Sequence, residues 1–144
     1  MTAGALPRML GLLRSLGTYW RPGRQRGLRD LYRPFVTKGD LVFDVGAHLG
    51  DRTAAFHALG GRVVALEPQP GLADWLERLV GRLERVTILR SAAGAAPGTA
   101  MLAVASRHPT VSTLAHGWRE RMTSENPGFR GVRWDDQVEV PVTT

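Results

Sequence analysis

Cysteine is absent from the 144 residues, so no disulfide framework, thiolate metal site or cysteine nucleophile can form. No apolar run approaches the ~18 residues that would span a bilayer as a helix. There is no Gly-Lys-Ser or Gly-Lys-Thr, which removes a P-loop. The four histidines have no metal-ligand spacing, and no metal is expected. No Ser/His/Asp order or paired-carboxylate spacing points to hydrolysis. These absences leave a soluble, cytoplasmic protein as the expectation, and a composition of 43% hydrophobic and 22% charged residues is that of a chain able to bury a core.

Acidic charge is scarce at one end only. Up to Val36 there are seven arginines (Arg8, Arg14, Arg21, Arg24, Arg26, Arg29, Arg33) against Asp30 alone, a net +6. From Thr37 to Thr144, Lys38 and eleven arginines meet twelve carboxylates, a net of zero. The whole excess of +6 therefore sits in the first 36 residues, and a basic channel for nucleic acid is not indicated. Residues 1–36 read as a basic helical arm and 37–144 as the body. In the arm, Leu6, Met9, Leu10, Leu13 and Leu16 recur at helical spacing. The expectation is an amphipathic helix that packs its stripe on the body. A weak contact with a membrane surface or partner, and a targeting role, are the alternatives.

The pattern changes after the Lys38-Gly39-Asp40 turn. Leu41–Val45 is a short apolar run holding Asp44 near its end and followed at once by Gly46. It reads as a buried strand that delivers a carboxylate to its C-terminal edge. A short helix from about Thr53 ends at Gly60-Gly61, and residues 62–66 form a second strand that runs into Glu67-Pro68. Leu72, Trp75, Leu76, Leu79, Val80 and Leu83 then mark a helix, and residues 85–89 a third strand. Strands alternating with helices imply a parallel α/β sheet of Rossmann-like form with helices on both faces. A weaker strand over 99–105, a helix after Thr113 and an alternating strand through Val138, Val140 and Val142 complete the reading.

In such sheets ligands sit beyond the carboxyl ends of the strands. Asp44, Gly46, His48, Gly50 and Thr53 gather at the first strand end, and Glu67 and Pro68 at the second. Gly46 permits an unusual backbone angle, and Gly50 lets loop and helix approach a ligand closely. His48 stands where a dinucleotide fingerprint needs its second glycine, which disfavours a nicotinamide cofactor. A nucleoside with a small zwitterionic tail asks less of the loop. Glu67, 23 residues beyond Asp44, stands where a carboxylate can accept both ribose hydroxyls.

The blocks VFDVGAHLGDRT and VVALEPQP, continued by RSAAG, HPTVSTL and RWDDQVEVPVTT, resemble the S-adenosylmethionine-dependent methyltransferases of the FkbM type. The resemblance runs from about Asp30 to Thr144, and its specificity lies in the order of the blocks. It implies a methyltransferase fold with S-adenosylmethionine as cofactor. Asp44, Gly46 and Gly50 would shape the methionine end, Glu67 would bind the ribose, and Ser91-Ala92 would lie beside the adenine. His48 replaces a small polar residue of that family, often Asn. Members of the family continue past the VPVTT element into further strands, so residues 37–144 are expected to be the cofactor-binding half of an apparently truncated domain. The implied reaction is O-methylation of a small molecule, glycan or secondary metabolite. No catalytic base is identified; His48 and His108 are the candidates near the expected crevice. Ser112 and Thr113 read first as capping hydroxyls, and Trp20, Trp118 and Trp134 as packing residues that could cover an opening. A non-catalytic α/β module docking through its basic arm is the competing class, with a nicotinamide oxidoreductase behind it.

Overall fold

The computed structural model describes residues 5–144, apart from the side chains of Ala5, Pro7 and His116; the first four residues of the basic arm lie outside the described residues. Two compact units are present. One comprises Ser15–Thr99 with Val140–Thr144, and the other comprises the residues up to Arg14 with Ala100–Glu139.

The larger unit is built on a parallel sheet of three strands, β1 (Leu41–Val45), β2 (Arg62–Leu66) and β3 (Val86–Leu89), in the order β1-β2-β3. Asp44 pairs with Ala65 and Val63 with Val86, so the strand ends are level. Parallel neighbours need a crossover, and α3 (Asp51–Ala58) and α4 (Pro70–Val80) supply the two. Pro70 suits the first turn of α4, where its missing N–H costs nothing. Leu72, Ala73, Leu76 and Val80 form the buried stripe of that helix. Trp75 is half-buried at its rim, with the Arg78 guanidinium 5.1 Å from the ring centroid.

The α/β class and the parallel sheet are as the sequence pattern requires. The placement of helices differs from the expectation of both faces. Phe56 of α3 packs on Val63 with Val42 and Val86, and Leu76 and Val80 of α4 pack on Ala65 with Ile88. Val63 and Ala65 are two residues apart on one strand, so both helices cover the same face. Two crossovers of one hand that step in one direction across a sheet leave it on the same side. On the opposite face of β1, an edge strand among the described residues, Leu41, Phe43 and Val45 are 52%, 60% and 61% exposed.

Helix α2 (Arg24–Tyr32) lies on α3, where Tyr32 meets Phe56 edge-on at 4.7 Å between ring centroids. Leu28 is buried, as is Val36 of the following segment. Helix α1 (Ala5–Tyr19) departs from the packing expected of it. Leu6, Met9, Leu10 and Leu13 are exposed, whereas Gly11 and Ser15 are buried. The reason is a close approach: a Cβ on Gly11 would stand 2.3 Å from the carbonyl oxygen of Ser106, so only a small-residue face fits there.

In the smaller unit, α5 (His116–Glu125) carries Trp118, whose ring meets Phe129 and Trp134 edge-on at 5.6 and 6.2 Å. Trp134 Nε1 donates to the Val111 carbonyl at 3.0 Å, and Arg8 pairs with Asp136. These tryptophans are packing residues. A second sheet has the order β4-β6-β5, with β4 (Ala92–Ala93), β5 (Gly98–Val104) and β6 (Asp136–Thr143).

An edge strand whose exposed face is apolar invites self-association. Phe43→Thr is expected to lower light scattering in concentrated solution while changing unfolding stability by less than about 0.5 kcal/mol. Undiminished scattering with Thr at this position would assign association to another surface.

Candidate functional site

Parallel strands aligned at their carboxyl ends bring the β1–α3 loop beside the β2–α4 loop. The backbone turns sharply after Val45. Gly46 has φ +75°, and the N–H groups of Gly46 and Ala47 both donate to the Leu66 carbonyl at 2.9 Å, which ties the loop to the end of β2. A Cβ at Gly46 would meet nothing within 4 Å, so the space above this exposed glycine is open.

Glu67 completes the tie from the other side. It is 2% exposed; one carboxylate oxygen accepts from the His48 N–H at 2.8 Å and the other from the Gln69 N–H at 2.9 Å. Burial pushes its pKa up, the amides of Gln69 and His48 work against that, and the nearby Asp44 charge adds to it. Each oxygen keeps a second lone pair for an incoming hydroxyl. The sequence reading placed Glu67 at the strand end for ribose alone; its backbone clasp was not visible from residue spacing.

Asp44, 5% exposed, accepts from the Thr53 hydroxyl at 2.6 Å. Burial raises its pKa, Thr53 and Arg52 oppose the rise, and Asp51 contributes to it. Asp44 and Thr53 thus form a buried pair that braces strand against helix.

His48 adopts φ +55°, a conformation uncommon for a residue with a side chain. It is 9% exposed, and neither ring nitrogen has a hydrogen-bond partner among the described residues. The Tyr19 ring meets it edge-on at 5.0 Å. Burial pushes its pKa down to about 4, with Asp51 opposing and Arg52 assisting, so the ring is neutral at physiological pH. A neutral imidazole holds one donor and one acceptor nitrogen.

Packing by itself requires glycine at position 50. Its φ is +77°, and a Cβ there would lie 2.7 Å from Leu76 Cδ1 and 3.0 Å from Val80 Cγ2. The glycine admits α4 against the start of α3. Pro68 is half-buried in the β2–α4 loop. Ser91 and Ala92 are buried just past β3, and Ala92 is engaged in parallel pairing with Val142. His108 belongs to the smaller unit, where its Nδ1 lies 3.2 Å from Arg14 Nη1. Ser112 and Thr113 hydroxyls accept from the backbone N–H groups of Ala105 and Ala115, but neither hydroxyl caps a helix: Ala115 is the N-cap of α5 and no side chain caps it, so the two hydroxyls hold turns instead.

The segment after α1 contributes contacts that sequence reasoning missed. Trp20 Nε1 donates to the Leu49 carbonyl at 3.0 Å, Arg24 pairs with the buried Asp51 at 2.6 Å, and Gln25 donates to the Asp51 carbonyl at 2.9 Å. The Arg24 guanidinium also lies 5.0 Å from the Tyr19 ring centroid. The adjacent aromatics Tyr19-Trp20 were the available signal, but nothing in their spacing names a loop 29 residues away. Two clefts of about 540 and 820 Å³ lie elsewhere, beside Arg21–Arg24 and beside Arg119 and Trp134.

No family model matches the chain, and no curated protein matches it. Among solved structures, one described as a "putative rRNA-methylase" from Clostridium thermocellum is similar at 27% identity and a TM-score of 0.40. The match covers 44% of this chain and 38% of that one, and this degree of likeness leaves any functional reading to rest on the site itself.

Two substitutions test the site's construction. Gly50→Ala is expected to destabilise the fold by about 2–4 kcal/mol, from the left-handed backbone and the collision with Leu76 and Val80. Thermal or urea unfolding measures it, and a loss below about 0.5 kcal/mol would refute the packing role. Thr53→Val removes the donor to a buried carboxylate, at about 1.5–3 kcal/mol near neutral pH. Because Asp44's folded pKa already stands above 3.8, its ionisation costs stability above that folded value, and the cost fades as pH falls through it. Removing the hydroxyl raises the folded pKa further, so the variant's deficit should shrink on acidification; a deficit constant with pH would contradict the pairing.

Proposed function

We propose that the β1–α3 and β2–α4 loops bind the adenosyl and methionine parts of S-adenosylmethionine, and that the protein acts in methyl transfer. The carrying observation is the buried Glu67 carboxylate at the end of β2, pinned to the neighbouring loop through the His48 amide. A carboxylate held this way keeps fixed acceptor lone pairs without reorganising, which suits the two hydroxyls of a ribose. The open space above Gly46 suits a polar group at the mouth of the loop. His48 fills the position where a dinucleotide needs glycine, which disfavours a diphosphate at this loop.

In this reading Glu67 orients the ribose, Gly46 and the β1–α3 loop receive the amino-acid tail, and Asp44 with Thr53 keeps that loop in register. Ser91 and Ala92 flank the base. The bound cofactor supplies a methyl group already activated on a sulfonium, so the protein's work is alignment and exclusion of water. The acceptor is proposed to be a hydroxyl of a small molecule, glycan or secondary metabolite, on the resemblance of the sequence blocks alone.

Isothermal titration with S-adenosylhomocysteine and with NAD separates this proposal from a nicotinamide enzyme. Saturable binding of the first and none of the second is expected. Glu67→Ala should weaken S-adenosylhomocysteine by at least about tenfold, the worth of one charge-assisted hydrogen bond. Circular dichroism checks that the variant remains folded, and Glu67→Gln, which keeps one acceptor oxygen, should fall between. Binding of NAD in place of S-adenosylhomocysteine, or an unchanged affinity in a folded Glu67→Ala protein, would overturn the assignment.

A further inference from the structure

Helix α1 is amphipathic in the inverse sense to a packing helix. Its small residues Gly11 and Ser15 face inward, and Gly11 sits against the Ser106 carbonyl so closely that no side chain fits between them. Its large apolar residues face outward. Leu6, Met9, Leu10 and Leu13 stand at i, i+3, i+4 and i+7, and are 52%, 49%, 44% and 56% exposed. Such a stripe costs free energy in water, so a surface that covers it would stabilise the protein.

The charge of the segment says what kind of surface. Residues 1–36 hold the chain's whole excess of +6, and Arg21 lies two residues past the end of α1. A cationic segment with one continuous apolar stripe is the composition of a helix that lies in the headgroup region of a bilayer. A second copy of the chain is a poorer occupant. As a coiled-coil seam, Leu6, Met9, Leu13 and Leu16 amount to two heptads, fewer than the three or four that such pairing takes, and two arms of +6 would repel. Nucleic acid would use the arginines but leave the leucines in water.

We propose that α1 docks the protein on an anionic phospholipid surface, with the Leu6–Leu13 stripe entering the headgroup boundary and the net positive charge of the first 36 residues drawing the segment toward the lipid phosphates. The helix lies along the surface and does not cross it: no helix among the described residues is long and apolar enough to span a bilayer. The contact would hold the enzyme where an amphiphilic acceptor is concentrated, but the docking itself stands independently of the cofactor reading.

The test is co-sedimentation of the full chain with phosphatidylcholine vesicles, with and without phosphatidylglycerol. Pelleting with the anionic vesicles only, weakened by salt, is the expected result. The double variant L10Q/L13Q changes exposed positions, so it should keep the circular dichroism of the parent while its partitioning falls by at least about tenfold. Absence of pelleting by the parent would overturn the proposal. So would equal pelleting by the double variant, or a dimer in sedimentation equilibrium that the double variant dissolves, which would give the stripe to self-association.

Discussion

The Glu67 carboxylate joins two loops that the sheet alone would leave as neighbours. Through one oxygen it holds the amide of His48, through the other that of Gln69, and the Gly46 and Ala47 amides reinforce the tie at the Leu66 carbonyl. Three backbone donors of the β1–α3 loop, those of Gly46, Ala47 and His48, thereby find acceptors on or just beyond β2. Without them these donors would be buried or strained in a segment that turns through two left-handed residues, Gly46 and His48. The carboxylate is costly to bury, as its raised pKa records, and the amides of Gln69 and His48 offset part of that cost.

The same loop is held from outside by the segment that follows α1. Trp20, Arg24 and Gln25 engage Leu49 and Asp51, and Tyr19 covers His48. The basic arm therefore does two different things along its length. Its C-terminal part braces the loop, whereas its first helix turns an apolar stripe to solvent. Loops need such bracing when they carry binding groups, because their own backbone supplies little rigidity.

One face of the parallel sheet is packed by both crossover helices and the other is left apolar and open at β1. This asymmetry follows from strand order. Stepping from β1 to β2 to β3 in one direction stacks the crossovers on one side, and only a strand sequence that reverses direction covers the other.

The strand boundaries of β1 and β2, the crossover helices and the carboxylates at the strand ends were legible in the sequence, because short apolar runs and 3.6-residue periodicity are local signals. So was the concentration of charge in the first 36 residues. Tertiary structure alone decided which face the helices cover, that Gly50 exists to admit Leu76 and Val80, and that Glu67 is a clasp as well as an acceptor. It also decided that the stripe of α1 points outward, since a periodicity names a face but not the neighbour that face will meet. Those outcomes depend on contacts between residues far apart in the chain, and one-dimensional spacing carries no record of them.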